Sequence, residues 1–409
     1  MLNKGKVVMK NIRKITDDLF YIGCSDRRIQ LFESAYPVPD GVSYNSYLLK
    51  DEKTVLFDTV DKVCAGQFFE NLDGALNGRK LDYLIVQHME PDHASLIEDV
   101  KRRYPEVKIV CTAKAKDMIK QFFTFDIEAC VMPVKEGEVL NTGKHELTFV
   151  MAPMVHWPEV MVTFDKTTGT LFSADAFGSF GAINGNLFDD EVDWERDYLD
   201  EARRYYTNIV GKYGMQVQML LKKASALDIK MICPLHSLIV RKNIGLFVEK
   251  YDKWSSYTPE KQGVLIAYSS VYGNTESAVE LLAGKLADKG VKEIKMYDVS
   301  YSHHSKVLSD AFKYSHIVLA TTTYNCGIFE SMKAFMDSLI AHGLKNRKFV
   351  LIENGSWMPT CGLAMKTEIE KLAGAEILND PLKIKSALKD EQLVDMDNVV
   401  ITIEKSLGL

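Results

Sequence analysis

The sequence predicts an α/β protein of two domains, an α/β sandwich followed by a doubly wound parallel sheet. The chain has 409 residues, which is more than one hydrophobic core usually accommodates. Short strand-like runs open the chain and then alternate with helical patterns, whereas clean strand–loop–helix repeats follow a polar, proline-containing stretch at 251–262. We therefore place the two domains at residues 1–255 and 263–409.

The elements of the first domain are short and apolar. The runs LFYIG, SYNSYLL and TVLFDT are bounded by Gly, Pro, Asp or Asn, as expected of strands joined by turns. From about residue 65, helical and strand patterns alternate in the order CAGQFFENLDGAL, LDYLIVQ, SLIEDVKRRY and VKIVCT. Strand-rich ends around alternating elements indicate a sandwich of sheets and helices.

The second domain alternates more regularly. The strand GVLIAY precedes a helix at 276–289, and the runs KEIKMYDV and SHIVLAT are further strands. A helix near 329–341 and the strand RKFVLIE follow, with more helical sequence beyond them. This order is typical of a doubly wound parallel sheet.

Composition excludes several classes of protein. A net charge of -6 with no Lys/Arg stripe argues against nucleic acid as a partner, and no run of 18 apolar residues predicts a membrane helix. The N-terminal stretch MLNKGKVVMKNIRK lacks the apolar core of a signal peptide. Seven scattered cysteines without a CxxC pair argue against a disulfide framework and against a fused rubredoxin or iron–sulfur module. They favour a reducing, cytoplasmic location.

The strongest chemical signal is the segment HMEPDH. His88, Glu90, Asp92 and His93 fall within six residues, where the apolar strand LDYLIVQ gives way to a loop. Pro91 prevents this segment from being a regular helix or a central strand. Two imidazoles and two carboxylates are costly to bury together unless a metal ion pairs them. The segment therefore predicts a metal site.

Three more candidate ligands follow apolar runs elsewhere in the first domain. They are His156 after LTFVMAPMV, Asp175 in GTLFSADAF and His236 in KMICPLHS. Side chains at the carboxyl ends of several strands build a site on rigid supports. Taken alone, each of these histidines would more often be a buried structural residue than a ligand. His145, in NTGKHE, is predicted to be an ordinary turn residue.

Together these residues resemble the metallo-β-lactamase superfamily, whose motif usually has His at the position of Glu90. The glutamate variant, with 18 residues between His156 and Asp175 and 60 between Asp175 and His236, is similar to the flavodiiron proteins. That resemblance implies an αββα sandwich with two iron ions bridged by Asp175. It assigns His88, Glu90 and His156 to one iron, and Asp92, His93 and His236 to the other.

Glu90 in the position of a histidine is consistent with a redox-active metal. Replacing an imidazole by a carboxylate adds a hard anionic oxygen, which favours iron or manganese over zinc. One departure from the family pattern is Ser237, because the family more often has Gly after the last histidine. The family also implies that Tyr205, the first of the adjacent pair in RRYYTNI, donates a hydrogen bond near the irons. The sequence is explained equally well if Tyr205 is only a packing residue on an amphipathic helix.

Three loops of the second domain predict a flavin site. The loop after GVLIAY is rich in hydroxyls and contains no Lys or Arg, so it fits neither an ATP nor an NAD motif. It precedes a helix N-terminus, which suits a phosphate. With the loops after SHIVLAT and VLIE it resembles the FMN-binding loops of flavodoxins. The implied FMN contacts are Ser269, Tyr272, Gly273, Asn274, Thr275, Thr323, Tyr324, Asn325, Gly327, Asn354, Gly355, Ser356 and Trp357.

The two resemblances cover nearly the whole chain and imply an enzyme that reduces O2 to water, NO to N2O, or both. They also imply a head-to-tail homodimer or a dimer of dimers. Because no rubredoxin is fused, the electron donor is a separate rubredoxin, a flavin reductase or a reduced deazaflavin. Two alternatives stay open: a dinuclear-zinc hydrolase of the metallo-β-lactamase type fused to a flavodoxin domain, and a non-enzymatic electron carrier or sensor. Glu90 argues against the hydrolase, and the complete set of candidate ligands argues against the carrier or sensor.

Overall fold

The computed structural model describes residues 10–409, which divide into two compact units. The first unit comprises the described residues up to Tyr206 together with Met215–Asp252, and the second comprises Thr207–Gly214 and Lys253–Leu409. Segment 1–9, which holds most of the stretch considered as a signal peptide, lies outside the described residues. Among the helices of residues 10–409, none has the length and apolar character needed to span a bilayer.

The first unit is built on two principal sheets. Its strands are β1 (Arg13–Lys14), β2 (Leu19–Tyr21), β3 (Cys24–Asp26), β4 (Leu31–Phe32), β5 (Tyr36–Pro37), β6 (Val42–Tyr44), β7 (Tyr47–Lys50), β8 (Thr54–Phe57), β9 (Tyr83–Ile85), β10 (Lys108–Thr112), β11 (Val131–Val134), β12 (Val139–Asn141), β13 (Glu146–Met151), β14 (Met161–Asp165), β15 (Thr170–Phe172) and β16 (Met231–Cys233). One sheet has the order β1-β2-β7-β8-β9-β10-β11 and the other β12-β13-β14-β15-β16. The pairs β3–β6 and β4–β5 form two small two-stranded antiparallel sheets.

The two principal sheets share one apolar core. β8 and β15 are buried at every position, and Phe57 stacks on Phe172 with ring centroids 3.7 Å apart. Tyr47 meets Phe172 edge-on at 5.6 Å. Because residues from both sheets line this core, the sandwich predicted from the strand-rich ends is confirmed.

Helices connect these strands. They are α1 (Ala65–Leu76), α2 (Pro91–Ala94), α3 (Ile97–Arg103), α4 (Ala113–Phe122), α5 (Trp194–Asp197), α6 (Leu199–Tyr205), α7 (Gly214–Ala224) and α8 (Ile244–Ser255). A π-helical segment, Tyr206–Val210, follows α6 directly. The stretch 251–262, predicted to be a polar linker, instead contains the end of α8 and the buried side chains of Tyr251 and Trp254.

The second unit is a parallel sheet flanked by helices, as predicted. Its strands are β17 (Lys261–Tyr268), β18 (Ile294–Asp298), β19 (Tyr314–Tyr324), β20 (Gly327–Ile328), β21 (Lys348–Asn354), β22 (Glu376–Ile377) and β23 (Leu382–Ile384). Its helices are α9 (Asn274–Asp288), α10 (His304–Lys313), α11 (Glu330–Ala341), α12 (Cys361–Ile369) and α13 (Leu393–Leu407). The order β18-β17-β19-β21-β22 places β17, β19 and β21 at the centre, all parallel.

His145 is buried in the first unit, where the sequence predicts an ordinary turn residue. Its Nδ1 lies 2.7 Å from Asp165 Oδ2, and its Nε2 lies 2.9 Å from Asp18 Oδ2. The hydrogen bonds to Asp165 and then to Asp18 outweigh burial and raise the pKa of His145 to about 9. His145 does lie in the turn between β12 and β13, but it is not an ordinary turn residue, because folding brings Asp18 here from a distant part of the sequence.

We expect protonated His145 to stabilise the fold with a pH dependence of defined sign. The unfolded imidazole has a pKa of 6.5 and the folded one about 9, so the stabilisation is complete below pH 6.5 and is lost as the pH rises through about 9. Solvent screening limits it to about 1–2 kcal/mol in the free energy of unfolding. Denaturant unfolding of the wild-type chain and of His145→Gln across this pH range measures the effect.

A matched control is available for this measurement. Burial lowers the pKa of His316 to about 4, so this side chain is neutral throughout the tested range. The His316→Gln variant should therefore differ from the wild-type chain by the same amount at every pH. A His145→Gln difference that stays constant as the pH rises contradicts the assigned role.

Candidate metal centre and flavin loops

The segment after β9 presents four side chains to one region. Glu90 is extended, with φ -60° and ψ 137°, and Pro91 begins α2. Proline suits the first helical position because its missing N–H needs no partner there. The resulting short helix carries Asp92 and His93. All four candidate ligands of this segment are buried, His88 and His93 completely.

The other candidate ligands come from the second sheet. His156 lies in the turn between β13 and β14, Asp175 follows β15, and His236 follows β16. All three are buried. Since β15 and β16 are parallel neighbours, their carboxyl ends meet at one edge of the sheet. The centre therefore lies where this edge approaches the segment that follows β9.

The seven candidate ligands form two groups. One contains His88, Glu90, His156 and Asp175, and the other contains Asp92, His93 and His236. In the first group Glu90 Oε2 lies 3.2 Å from His88 Nε2 and 3.0 Å from His156 Nε2. In the second, Asp92 Oδ2 lies 3.3 Å from His93 Nε2 and 3.4 Å from His236 Nε2.

Asp175 faces both groups. Its Oδ2 lies 3.4 Å from His88 Nε2 and 3.2 Å from His156 Nε2. Its Oδ1 lies 3.2 Å from His93 Nε2 and 3.8 Å from His236 Nε2. One carboxylate thus offers a separate oxygen to each group, which is the arrangement required of a ligand that bridges two metal ions.

The residues fit a pair of metal ions. Bonds of about 2.1 Å to one ion place neighbouring ligand atoms roughly 3.0–3.4 Å apart, as most of these distances are. Both side-chain oxygens of Asp92 and of Asp175 are buried and accept no hydrogen bond from the described residues. Such buried acceptors are costly unless a cation satisfies them. Three carboxylates and four imidazoles also suit iron or manganese.

Two carboxylates of the centre, Glu90 and Asp175, are held ionised. Burial opposes ionisation, but the neighbouring His156 and His88 imidazoles hold the pKa of Glu90 well below its usual value. Burial likewise opposes ionisation of Asp175, and His88 and His93 hold its pKa well below the usual value. Both side chains therefore present anionic oxygens to a cation.

Two partners orient the ligand imidazoles, and the sequence did not predict either. Glu159 Oε1 lies 2.9 Å from His88 Nδ1 and accepts a 2.8 Å hydrogen bond from the Met89 backbone N–H. His236 Nδ1 lies 2.7 Å from the Ser43 carbonyl oxygen. Each contact leaves Nε2 of its histidine facing the centre. The only sequence feature that could have indicated this role for Glu159 is its position three residues after the candidate ligand His156.

An aromatic wall adjoins the His236 side of the centre. The rings of Tyr205, Phe32 and Tyr44 lie 5.4, 5.5 and 5.9 Å from the His236 ring. The Tyr205 hydroxyl is buried and has no hydrogen-bond partner among the described residues. A cavity of about 320 Å³ is lined by Phe32 and Tyr44 and by the ligands Glu90 and Asp92.

Ser237, the departure from the family pattern, adopts a conformation that favours glycine. Its φ is 71°, and its N–H donates to Ser43 Oγ at 2.7 Å. The Ser43 carbonyl also holds His236. The serine is therefore accommodated without displacing the ligand before it.

The three predicted flavin loops meet at one edge of the second unit's sheet. β17, β19 and β21 are adjacent and parallel, and the loops follow their carboxyl ends. Gly273, with φ 88°, precedes α9, whose first residues are Asn274 and Thr275. Gly327 pairs with Tyr324 in the turn after β19.

The side chains of the predicted FMN residues differ in their exposure and in their hydrogen bonds. Tyr272 and Trp357 are 93% and 91% exposed, which leaves both aromatic rings open to a planar ligand. Ser269 is buried with Oγ 2.6 Å from Thr321 Oγ1. Asn354 is also buried and donates to Thr275 Oγ1 at 3.2 Å.

The remaining predicted contacts lie at the end of β19 and in the loops after β19 and β21. Thr323 Oγ1 accepts from the backbone N–H groups at the start of α12. Asn325 has φ 48°, and Ser356 Oγ lies 3.1 Å from Ser386 Oγ. A Cβ atom on Gly355 would lie 2.9 Å from Pro359 Cα, so this turn requires glycine. For all of these residues, contact with FMN stays a prediction.

Comparison with known proteins agrees with this architecture. A family model described as "ODP family beta lactamase" matches residues 42–237. A nitric oxide reductase of Moorella thermoacetica is 31% identical over 366 residues, covering 89% of this chain and 90% of that protein. An anaerobic nitric oxide reductase flavorubredoxin of Escherichia coli O1:K1 is 28% identical, covering 92% of this chain and 78% of that protein.

Solved structures extend the similarity to the whole fold. The rubredoxin:oxygen oxidoreductase of Desulfovibrio gigas is 27% identical with a TM-score of 0.91, covering 97% of this chain and 98% of that chain. The flavodiiron protein of Giardia intestinalis has the same fold, with a TM-score of 0.91 at 24% identity, covering 97% and 96% of the two chains. The chain belongs to the flavodiiron protein family.

Proposed function

We propose that this chain is an oxidoreductase that reduces O2 to water, NO to N2O, or both, with a dinuclear iron site and FMN. The observation that carries the proposal is Asp175, which offers one oxygen to each of two ligand groups. The relatives named nitric oxide reductase and rubredoxin:oxygen oxidoreductase support the same reaction class. A pair of metals bridged in this way suits a small diatomic substrate.

Separate sets of residues would bind the two irons and FMN. His88, Glu90 and His156 would hold one iron, and Asp92, His93 and His236 would hold the other, with one oxygen of Asp175 available to each. When bound, iron and FMN supply the electrons, four for O2 and two for each pair of NO molecules. Trp357, whose ring is exposed, would stack on the flavin ring, and Tyr272 with the α9 N-terminus would hold the phosphate.

The protein side chains around the centre bind the substrate and exclude water. The cavity beside Glu90 and Asp92 is far larger than a diatomic molecule requires, so it serves as the entry. Phe32 closes one side with an apolar ring 5.5 Å from His236. The Tyr205 hydroxyl, buried beside the same histidine, is placed to donate a hydrogen bond to an oxygen atom of the substrate.

A direct experiment tests the reaction. The purified protein is reduced anaerobically, and consumption of NO and O2 is measured side by side with iron, zinc, manganese and FMN quantified in the same sample. We expect consumption that scales with iron and FMN content. Full turnover in protein that contains zinc in place of iron refutes the proposal.

The electron donor and the assembly follow from the family resemblance. We expect a separate donor, a rubredoxin, a flavin reductase or a reduced deazaflavin, and a head-to-tail homodimer as the smallest active form. Gel filtration combined with activity assays of an interface-disrupted variant tests the assembly. A fully active monomer contradicts it.

Tyr205→Phe is expected to lower turnover about tenfold, because one hydrogen bond to the reacting molecule contributes about 1.4 kcal/mol. Iron and FMN content should not change. Steady-state rates with NO and O2 measure the effect. Tyr206→Phe is the matched control, since that ring packs on Tyr251 with centroids 5.1 Å apart. Equal losses in the two variants contradict a specific role for Tyr205.

A further inference from the structure

The segment that carries His236, residues 234–237, follows β16. We call it the His236 loop. Ser43 of β6, Tyr47 of β7 and Asn45 between these two strands are completely buried. Together the three residues form hydrogen bonds with every residue of the His236 loop. The loop is therefore anchored along its whole length.

Asn45 makes the central contacts with this loop. Its Nδ2 donates to the Pro234 carbonyl oxygen at 2.9 Å and to the Ser237 carbonyl oxygen at 2.8 Å. Its backbone N–H donates to the Leu235 carbonyl oxygen at 2.7 Å. Because carbonyl oxygens only accept, both side-chain bonds require the amide nitrogen. One amide group thus ties the loop on both sides of His236.

The direction of the His236 ring depends on this anchoring. His236 Nδ1 donates to the Ser43 carbonyl oxygen at 2.7 Å, so Nε2 carries the lone pair and faces the centre. There it lies 3.4 Å from Asp92 Oδ2 and 3.1 Å from His93 Nε2. The ring keeps this direction only while the backbone of the His236 loop stays in place, and Asn45 fixes that backbone.

The other ligand group is held by a different element. There Glu159 Oε1 lies 2.9 Å from His88 Nδ1. Glu159 lies between β13 and β14, whereas Asn45 lies between β6 and β7. Loss of the Asn45 amide therefore leaves the partner of His88 in place. The two metal sites should be open to separate weakening.

We propose that Asn45 is a positioning residue for one metal ion of the pair, the ion of the group Asp92, His93 and His236. Its amide fixes the His236 loop, so that Nε2 of His236 already faces the ion's position in the folded chain. Without the amide donors, metal binds this group about 10–100-fold more weakly, and the ion of the His88 group keeps its affinity. The inference rests on the proposed function only in that the centre holds two metal ions.

Iron release from the reduced holoprotein tests the proposal. Wild-type protein and Asn45→Asp are incubated with increasing concentrations of EDTA, and the retained iron is measured together with its Mössbauer spectrum. The substitution keeps the shape of the side chain but sets a carboxylate oxygen against two carbonyl oxygens. We expect Asn45→Asp to lose one iron at about 10–100-fold less EDTA than the wild-type protein. The iron that it loses should be the one that Glu159→Leu retains.

A second buried asparagine of the same unit is the matched control. Asn71 is completely buried, and its Nδ2 donates to the carbonyl oxygens of Ile22 and Gly23 at 3.1 and 3.2 Å. These acceptors lie in the turn between β2 and β3. Asn71→Asp removes equivalent hydrogen bonds, so it should lower the free energy of unfolding by a similar amount. Both of its irons should be retained as in the wild-type protein.

A milder variant keeps the test decisive if Asn45→Asp does not fold. Tyr47→Phe removes only the 2.6 Å hydrogen bond from the Tyr47 hydroxyl to the Pro234 carbonyl oxygen, and it should weaken the same iron about three- to tenfold. Equal iron release from Asn45→Asp and Asn71→Asp overturns the proposal, and so does wild-type iron retention in Tyr47→Phe. The readout needs no turnover, so a protein that holds two irons and reduces neither gas refutes the proposed reaction but not the role of Asn45.

Discussion

Replacing Asp175 by Asn is expected to lower NO and O2 turnover by about a hundredfold to a thousandfold. The neutral amide has a single oxygen, so it cannot provide an anionic oxygen to each of the two ligand groups that Asp175 Oδ1 and Oδ2 now face. The loss should be accompanied by a fall in bound iron. Metal analysis and steady-state rates on the same preparation measure both effects.

A surface carboxylate provides the control for this substitution. The Asp228 side chain is 85% exposed and forms a surface ion pair with Lys230, so Asp228→Asn should leave iron content and turnover unchanged. An Asp175→Asn protein that keeps two iron ions and full turnover would show that the carboxylate does not bridge. The proposed centre would then be wrong.

Replacing Glu159 is the second change with a large expected effect. Loss of a partner that orients a ligand histidine typically costs 10–100-fold in metal affinity or activity, and Glu159 Oε1 holds His88 Nδ1 at 2.9 Å. We expect Glu159→Leu to lose the iron of the His88 group first. Glu159→Gln should retain more of it, because the amide oxygen can still accept the hydrogen bond.

Iron counts and Mössbauer spectra distinguish this positioning role from a general loss of stability. The spectrum of the iron bound by His93 and His236 should persist after the His88 iron is lost. Glu195→Gln, a change of an exposed glutamate in the same unit, is the matched control. Equal loss of both irons in Glu159→Leu, with no recovery in Glu159→Gln, contradicts the assignment.

The sequence could single out the seven candidate ligands, which the fold brings together in two groups, because most of the signal is local. His88, Glu90, Asp92 and His93 stand around one proline, and the other three candidates follow strands whose carboxyl ends the fold brings together. The parallel sheet of the second unit was predicted for a similar reason. The helix predicted at 276–289 is α9, Asn274–Asp288, because each strand and helix there carries its own periodic pattern.

Residues whose roles depend on long-range contacts were missed. Glu159 reaches His88 because the Met161 N–H donates to the Gln87 carbonyl at 3.1 Å, a contact between the two sheets that no local pattern reveals. The contact between His145 and Asp18 also joins residues that are far apart in the sequence. The stretch 251–262 was predicted to be a linker because most of its residues are polar. That composition does not show that one face, with Trp254, is buried.

The distribution of the ligands across two sheets has a consequence for how the protein matures. Asp92 and His93 follow the first sheet, whereas Asp175 and His236 follow strands of the second. A chain in which the sheets have not yet closed can offer only fragments of either iron site. We therefore expect tight iron uptake to be the last event of assembly, after which bound iron would hold the two sheets together. Chelation should loosen this unit before it affects the parallel sheet.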